Sequence, residues 1–284
     1  MSELDENDRA PSAEFDWVRE YGAKLSFWER ISIRLVRRSF VPGLFDRFLR
    51  FMQRRFGQAW IHHGTKHLRH VRGLERLVDL EAPESVLVVS NHRSFFDLYV
   101  ITAELVRRDM KKRIVFPVRA GFFYDNPLGL IVNFWMSFLA MYPPLFRDRK
   151  KAAANLGSLD ELGRLLARGG VFAGLHPEGT RKRDEDPYTF LPAQPGVGRV
   201  IHRSRVTVVP VFVNGLGNDI VRQLKSNWDG TGSPIIVVFG SPIDFSYLLD
   251  QKPSPRVFRQ ISERCLTSIG ALGSEEKAYR SELG

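Results

Sequence analysis

The chain has 284 residues, one cysteine and a formal net charge of +10. That length fits one large domain or one domain with an appendage, and a hydrophobic fraction of 43% is ordinary for a globular core. The lone Cys265 excludes a disulfide framework and a cysteine metal site, and it fits a reducing compartment. The charge is uneven. Residues 17–72 hold 13 Lys and Arg against three acids (Glu20, Glu29 and Asp46), leaving 29 basic and 29 acidic residues elsewhere. A patch of that sign faces an anionic partner: a membrane, a nucleic acid or a phosphorylated substrate.

In chain order, residues 1–16 form an acidic, polar stretch expected to be disordered. They lack a basic segment followed by an apolar one, so no secretory signal is expected. Residues 17–70 read as a basic amphipathic helical region. Ser26-Phe27-Trp28-Glu29 has the form of a capping box, which predicts a helix to about Arg38. Pro42-Gly43 ends it. Phe45, Phe48, Leu49, Met52, Phe56 and Trp60 then recur at helical spacing, with Arg47, Arg50 and Arg54 opposite. Such a face suits a helix lying in a membrane interface; a surface helix packed on the core, with solvated arginines, is the plainer reading. His63, His67 and His70 have helical ligand spacing. However, Gly64 interrupts them, no carboxylate or cysteine is near, and Lys66 and Arg69 add positive charge, so a solvated basic linker is expected and no metal site.

From residue 71 the pattern becomes α/β, and residues 71–284 read as one domain. Strands are expected at 85–89, 113–118, 171–175, 206–212 and 234–239. Helices are expected at 98–108, 151–168 and 255–269. The alternation predicts a mostly parallel sheet flanked by helices. Residues 126–146 carry no charged side chain and approach the length of a bilayer span. Pro127, Gly129, Pro143 and Pro144 interrupt them, which favours a buried or membrane-dipping helix.

Four polar or apolar blocks stand out against this pattern. Asn91-His92-Arg93-Ser94-Phe95-Phe96-Asp97 follows the first strand and opens a helix, the position where α/β proteins place their chemistry. On spacing alone, Asn91 serves equally well as a helix cap and Asp97 as a first-turn acid. Phe146-Arg147-Asp148-Arg149 is a basic turn. His176-Pro177-Glu178-Gly179-Thr180-Arg181 follows another strand. Val208-Val209-Pro210-Val211 is an apolar strand containing a proline.

In this order the blocks resemble the glycerolipid acyltransferases, the family of lysophosphatidic acid and glycerol-3-phosphate acyltransferases. The likeness covers about residues 71–246. Pro177 to Arg181, about 80 residues after the His-Asp pair, is its most specific part. Two departures stand: His176 replaces a usual phenylalanine, and Arg147 a usual aliphatic residue.

The resemblance implies acyl transfer from a thioester, acyl-CoA or acyl carrier protein, to the hydroxyl of a lysophospholipid, foremost 1-acylglycerol-3-phosphate. Another acceptor, such as a lyso-ornithine lipid, a glycolipid or glycerol-3-phosphate, stays open. A hydroxyl needs a base, and His92 is the residue placed to serve, with Asp97 holding the imidazole tautomer. Arg149 and Arg181 are implied for the acceptor phosphate, which guanidinium matches bidentately. Glu178 is implied to orient the hydroxyl or fix the loop, with Gly179 and Thr180 beside it. Arg93 and Arg147 follow as further phosphate or donor contacts, and Val209 and Pro210 as lining of an acyl pocket. No cofactor is implied beyond the co-substrate. The expected setting is the cytoplasmic face of a membrane, peripheral or monotopic. A nucleic-acid-binding module is the reading of another class, but the aromatics sit on a helix rather than interleaved on a sheet. The intact His92, Asp97, Glu178 and Arg181 count against a non-catalytic scaffold.

Overall fold

A computed structural model describes residues 16–77, 84–107 and 112–283. The acidic stretch expected at the start lies almost wholly outside them. The first helices are α1 (Phe27–Arg38), α2 (Leu44–Met52) and α3 (Gln58–Thr65). Then come β1 (Arg69–Arg72), β2 (Val86–Ser90), α4 (Asp97–Arg107), β3 (Arg113–Arg119), α5 (Pro127–Ser137) and β4 (Met141–Leu145). The remainder is α6 (Ala152–Ala167), β5 (Val171–Leu175), α7 (Pro195–Ser204), β6 (Thr207–Asn214), α8 (Ile220–Asp229), β7 (Ile235–Phe239) and α9 (Pro255–Glu282).

The seven strands form one sheet in the order β1-β7-β6-β2-β5-β3-β4. Every neighbouring pair is parallel except β6 with β7. β2, β5 and β7 are buried at every residue, as apolar runs covered on both faces should be. On one face α4 lies close enough that Leu98 abuts Gly174 of β5; on the other, α9 brings Gly273 against Phe212 of β6. Because β2, β3, β4, β5 and β6 run parallel, their carboxyl ends share one edge. The loops carrying residues 91–97, 146–149, 176–181 and 214–218 leave from that edge.

The capping box of α1 forms as expected: Glu29 N donates to Ser26 Oγ at 3.2 Å, and Ser26 N to Glu29 Oε2 at 2.6 Å. The long aromatic helix does not run unbroken, because residues Gln53–Gly57 adopt a π turn between α2 and α3. The aromatic face is not the one packed on the core, apart from Leu49. Asp46, Leu49 and Gln53 point inward, whereas Phe45, Phe48, Phe51 and Phe56 are exposed. Gln53 explains the orientation, since its amide accepts from Ile114 N and donates toward the carbonyls of Ile114, Ser137 and Phe138. Arg50, expected on a solvated face, holds Asp46 at 2.7 Å and the Gly170 carbonyl at 2.8 Å. Trp17, Ile33, Val36, Leu49 and Ile61 belong to the same core as the sheet, and β1 crosses residue 70 to join it.

The uncharged stretch at 126–146 divides in two. Asn126 caps α5 through Gly129 N, and Pro127 sits at the first helical turn. The chain then turns and becomes β4. Pro143 and Pro144 fit there because β4 is an edge strand, where missing donors cost little. Among the described residues no helix is long and apolar enough to cross a membrane.

Candidate active site

β2 delivers its carboxyl end to the sheet edge, and Asn91 fixes the turn that follows. Its side chain does not cap a helix. It donates to Val213 O at 2.8 Å and accepts from Val213 N at 2.9 Å, which ties the loop to β6. Ser94 performs the local capping instead: its Oγ accepts from Phe96 N and donates to Gly217 O at 2.7 Å.

The turn directs three donors at one oxygen. Asp97 Oδ2 accepts from Arg93 N and Ser94 N, both at 2.8 Å, and lies 3.2 Å from His92 Nδ1. With Nδ1–H directed at the carboxylate, Nε2 keeps its lone pair for a substrate proton. Asp97 is at the start of α4, where the helix dipole favours an anion. Its second oxygen, Oδ1, is buried and has no hydrogen-bond partner among the described residues. Burial therefore dominates, pushing the carboxyl up to about 6 despite the donors. Burial also pushes His92 well below its ordinary value, and the nearby Arg181 charge adds to that. His92 is thus neutral at physiological pH, the state a base requires.

Glu178 joins the second loop to the first. It is 2% exposed, and each carboxylate oxygen takes a backbone donor at 2.9 Å: His92 N on Oε2 and Leu191 N on Oε1. Lys182 N donates to His92 O at 3.2 Å. Of the two roles implied for Glu178, fixing the loop is the one its bonds perform. Gly179 has φ +67°, a left-handed conformation that makes the turn.

Arg181 reaches the β6 loop, its Nη1 donating to Asn218 Oδ1, and the same oxygen accepts from Phe95 N at 3.1 Å. Arg147 Nη2 approaches Thr180 Oγ1 at 3.5 Å, which brings the basic turn beside the loop that carries Arg181. Arg149 is exposed at the start of the short turn Arg149–Lys151. Arg93 pairs with Asp184, at 2.8 Å to Oδ1, so an internal carboxylate occupies it. Asn218 and Gly217 are functional-loop residues that sequence reasoning missed; the Asn214-Gly215 strand end was the available signal.

Val209 and Pro210 are not at the site's opening. Both are buried within β6, and Pro210 lies against Gly240. Neither lines the two apolar cavities described here. One, open in part to solvent, is bordered by Trp60, Phe96, Tyr99, Leu216 and Leu224. The other, also partly open, is bordered by Gly57, Ala103, Phe116 and Met136. Ile61 and Tyr99 border both.

His176 adds a feature of its own. Its ring stacks on that of His92 with centroids 3.8 Å apart and planes 5° from parallel. His92, Asp97 and His176 have ligand atoms within 4.8 Å of one another, the one such trio among the described residues. Two stacked, parallel imidazoles share no in-plane point for an ion, and their Nδ1 atoms face Asp97 and Ser90. His63, His67 and His70 diverge: His63 bonds Ala59 O, His67 packs by Trp228, and His70 by Tyr279.

Comparison with known proteins follows the same loops. Residues 67–214, just over half the chain, match the Acyltransferase family. The chain is 27% identical to a chloroplastic 1-acyl-sn-glycerol-3-phosphate acyltransferase of Brassica napus, over 61% of this chain and 46% of that protein. It is 28% identical to an Arabidopsis thaliana counterpart, over 52% of this chain and 36% of that one. It is 24% identical to the human 1-acyl-sn-glycerol-3-phosphate acyltransferase beta, over 54% and 49%. The matches thus span half or less of these relatives' length. The crystal structure of the acyltransferase PlsC from Thermotoga maritima shares the fold, with a TM-score of 0.52 at 18% identity, covering 92% of this chain and 93% of that one. The chain therefore belongs to the glycerolipid acyltransferase family.

Proposed function

We propose that this chain moves a fatty acyl group from a thioester to the hydroxyl of a lysophospholipid, with 1-acylglycerol-3-phosphate as acceptor and phosphatidic acid as product. The observation that carries the reading is the His92–Asp97 contact at 3.2 Å beside the Arg181 loop. His92 Nε2 takes the acceptor's hydroxyl proton as the oxygen attacks the thioester carbonyl. The thiolate leaves, and the proton on His92 is released to it or to solvent. Asp97 holds the ring and favours the imidazolium formed on the way. The substrate supplies the nucleophile, so no residue of the chain needs acylation. Cys265 fits that economy, because burial in α9 pushes its thiol up to about 12.

Arg181 and Arg149 are the proposed phosphate contacts, with Arg147 beside Thr180. The apolar linings along α3 and α4 are proposed to receive the acyl chains, in place of Val209 and Pro210. The exposed aromatics of α2 supply membrane docking. Leu128, Ile131 and Trp135 of α5, which packs against α1 and the π turn, are also exposed and are proposed to extend that surface. Basic residues around this apolar surface favour an anionic bilayer.

Purified protein assayed with a panel of lysolipids, each with acyl-CoA and with acyl carrier protein as donor, tests the reading. Transfer to 1-acylglycerol-3-phosphate ahead of neutral lysolipids is the expected result. Transfer with equal efficiency to acceptors lacking a phosphate, or none at all, contradicts it.

A further inference from the structure

His176 is the site residue for which neither loop geometry nor phosphate binding supplies a role. It follows the last residue of β5 and opens the loop that carries Glu178 and Arg181. Two contacts fix its ring. Nδ1 lies 3.0 Å from Ser90 O and 3.2 Å from Ser90 Oγ. A carbonyl oxygen only accepts, so Nδ1 bears the hydrogen, which makes the Nδ1–H tautomer the neutral form of His176. The face of that ring is turned fully onto His92, at 3.8 Å and 5°.

The surrounding charges explain why the neutral form persists. From the 91–97 turn and α4 come His92, Arg93 and Asp97; from its own loop come Glu178 and Arg181; β2 offers the uncharged Ser90 and Asn91. Asp97 favours a proton on His176, but burial and the adjacent His92 outweigh it. Two imidazolium rings in face contact repel, so the pair accommodates one positive charge at most. Asp97 Oδ2 contacts His92, so that charge is directed there.

We infer that His176 is a positioning residue for the base: its neutral aromatic face is the platform on which the His92 imidazolium forms. The inference rests on the proposed role of His92 in acyl transfer. When the acceptor hydroxyl gives its proton to Nε2, the new cation lies against a π face. Planar cations gain from such stacking, more so where water is excluded. The face also keeps the ring from turning about its Asp97 contact, so Nε2 stays aimed at the acceptor. Water would occupy that side of His92 if the platform were removed.

The test compares two substitutions. His176→Phe retains a flat aromatic face and cannot be protonated. His176→Leu fills similar space without a face, and His176→Met is its substitute should the leucine protein fail to fold. Thermal midpoints verify folding. The aliphatic variant is expected to lose about 3- to 30-fold in kcat at pH 8, the range of a cation–π contact, with KM little altered. His176→Phe is expected to fall by less than about 3-fold. The acid limb of kcat/KM is expected to shift in opposite directions. Both variants lack the competing proton site, which moves the limb of His176→Phe to higher pH; in the aliphatic variant loss of the π face outweighs this and moves the limb to lower pH. Imidazole ¹⁵N titration of His92 in substrate-free protein should show the same opposed shifts. Equal kcat in the two variants, or limbs and titrations that move together or not at all, overturns the inference. The titration needs no substrate. Opposed shifts without acyl transfer would leave the platform standing and defeat the proposed function; transfer without such shifts would do the reverse.

Discussion

Replacing Asp97 with asparagine tests the electrostatics of the dyad while preserving its shape. Asp97 Oδ2 accepts from His92 Nδ1, Arg93 N and Ser94 N, and an asparagine oxygen can occupy the same point. What disappears is the negative charge beside the imidazolium. Unit charges about 4 Å apart at an effective dielectric of ~20 interact by about 4 kcal/mol. At 1.36 kcal/mol per decade, that is a loss of about 10³ in kcat. A second effect is separable. The amide nitrogen would fall where Asp97 Oδ1 now lies buried without a partner, at a cost of about 1–3 kcal/mol in stability. The assay is kcat with saturating thioester and lysolipid at pH 7.5 or above, where a carboxyl pushed up to about 6 is ionised. The thermal midpoint is measured in parallel. A kcat within tenfold of the original, in a protein that folds, would refute the assigned role of Asp97.

Glu178→Ala should leave the buried His92 and Leu191 N–H groups unpaired and cost about 2–5 kcal/mol, read in urea unfolding. Arg181→Lys should raise KM for a phosphorylated acceptor about tenfold and spare neutral acceptors, since a lysine lacks the fork that matches phosphate. Phe45, Phe48 and Phe51 changed together to serine should weaken binding to anionic vesicles by about 150-fold, at ~1 kcal/mol per partly inserted ring, with the circular dichroism unaltered. The histidines' contribution to the pH dependence of stability has a definite sign, opposed by that of Asp97 and Glu178, whose burial raises them. His92 and His176 titrate below their ordinary value when folded, so below about pH 6.5 the unfolded chain binds more protons. Each contributes a loss of up to about 1.4 kcal/mol per pH unit as pH falls. His176→Phe removes one contribution, so its acid unfolding midpoint should lie at lower pH.

Residues whose role is stated by chemistry and spacing were legible before the fold. The His92–Asp97 pair and the Pro177–Arg181 loop read directly, as did β2, β5 and β7, because strands buried on both faces are unbroken apolar runs. Elements defined by tertiary contact were not. β1 is Arg-His-Val-Arg, which carries no strand pattern and is held by its pairing with β7. β4 contains two prolines that look like helix breakers and make sense only at a sheet edge. α7 contains Gly196 and Gly198, which lower helix propensity; a Cβ on Gly198 would lie 1.9 Å from Phe258 O, so α9 packs there because the glycine is bare. α9 itself continues to Glu282, past the end expected at residue 269. The same division holds within the site. Arg93 looked available for a phosphate, and only the fold reveals Asp184 against it. Asn218 bears no motif and becomes a site residue through the loop that follows β6.

His92→Ala measures the central claim most directly. Purified protein on vesicles containing 1-acylglycerol-3-phosphate, with a saturating thioester donor, should lose about 10²–10⁴ in kcat, the usual worth of a general base. Its thermal midpoint should stay near the original. Acyl transfer at an undiminished rate in the folded variant would show that some other group removes the hydroxyl proton, and the account of the site would fail.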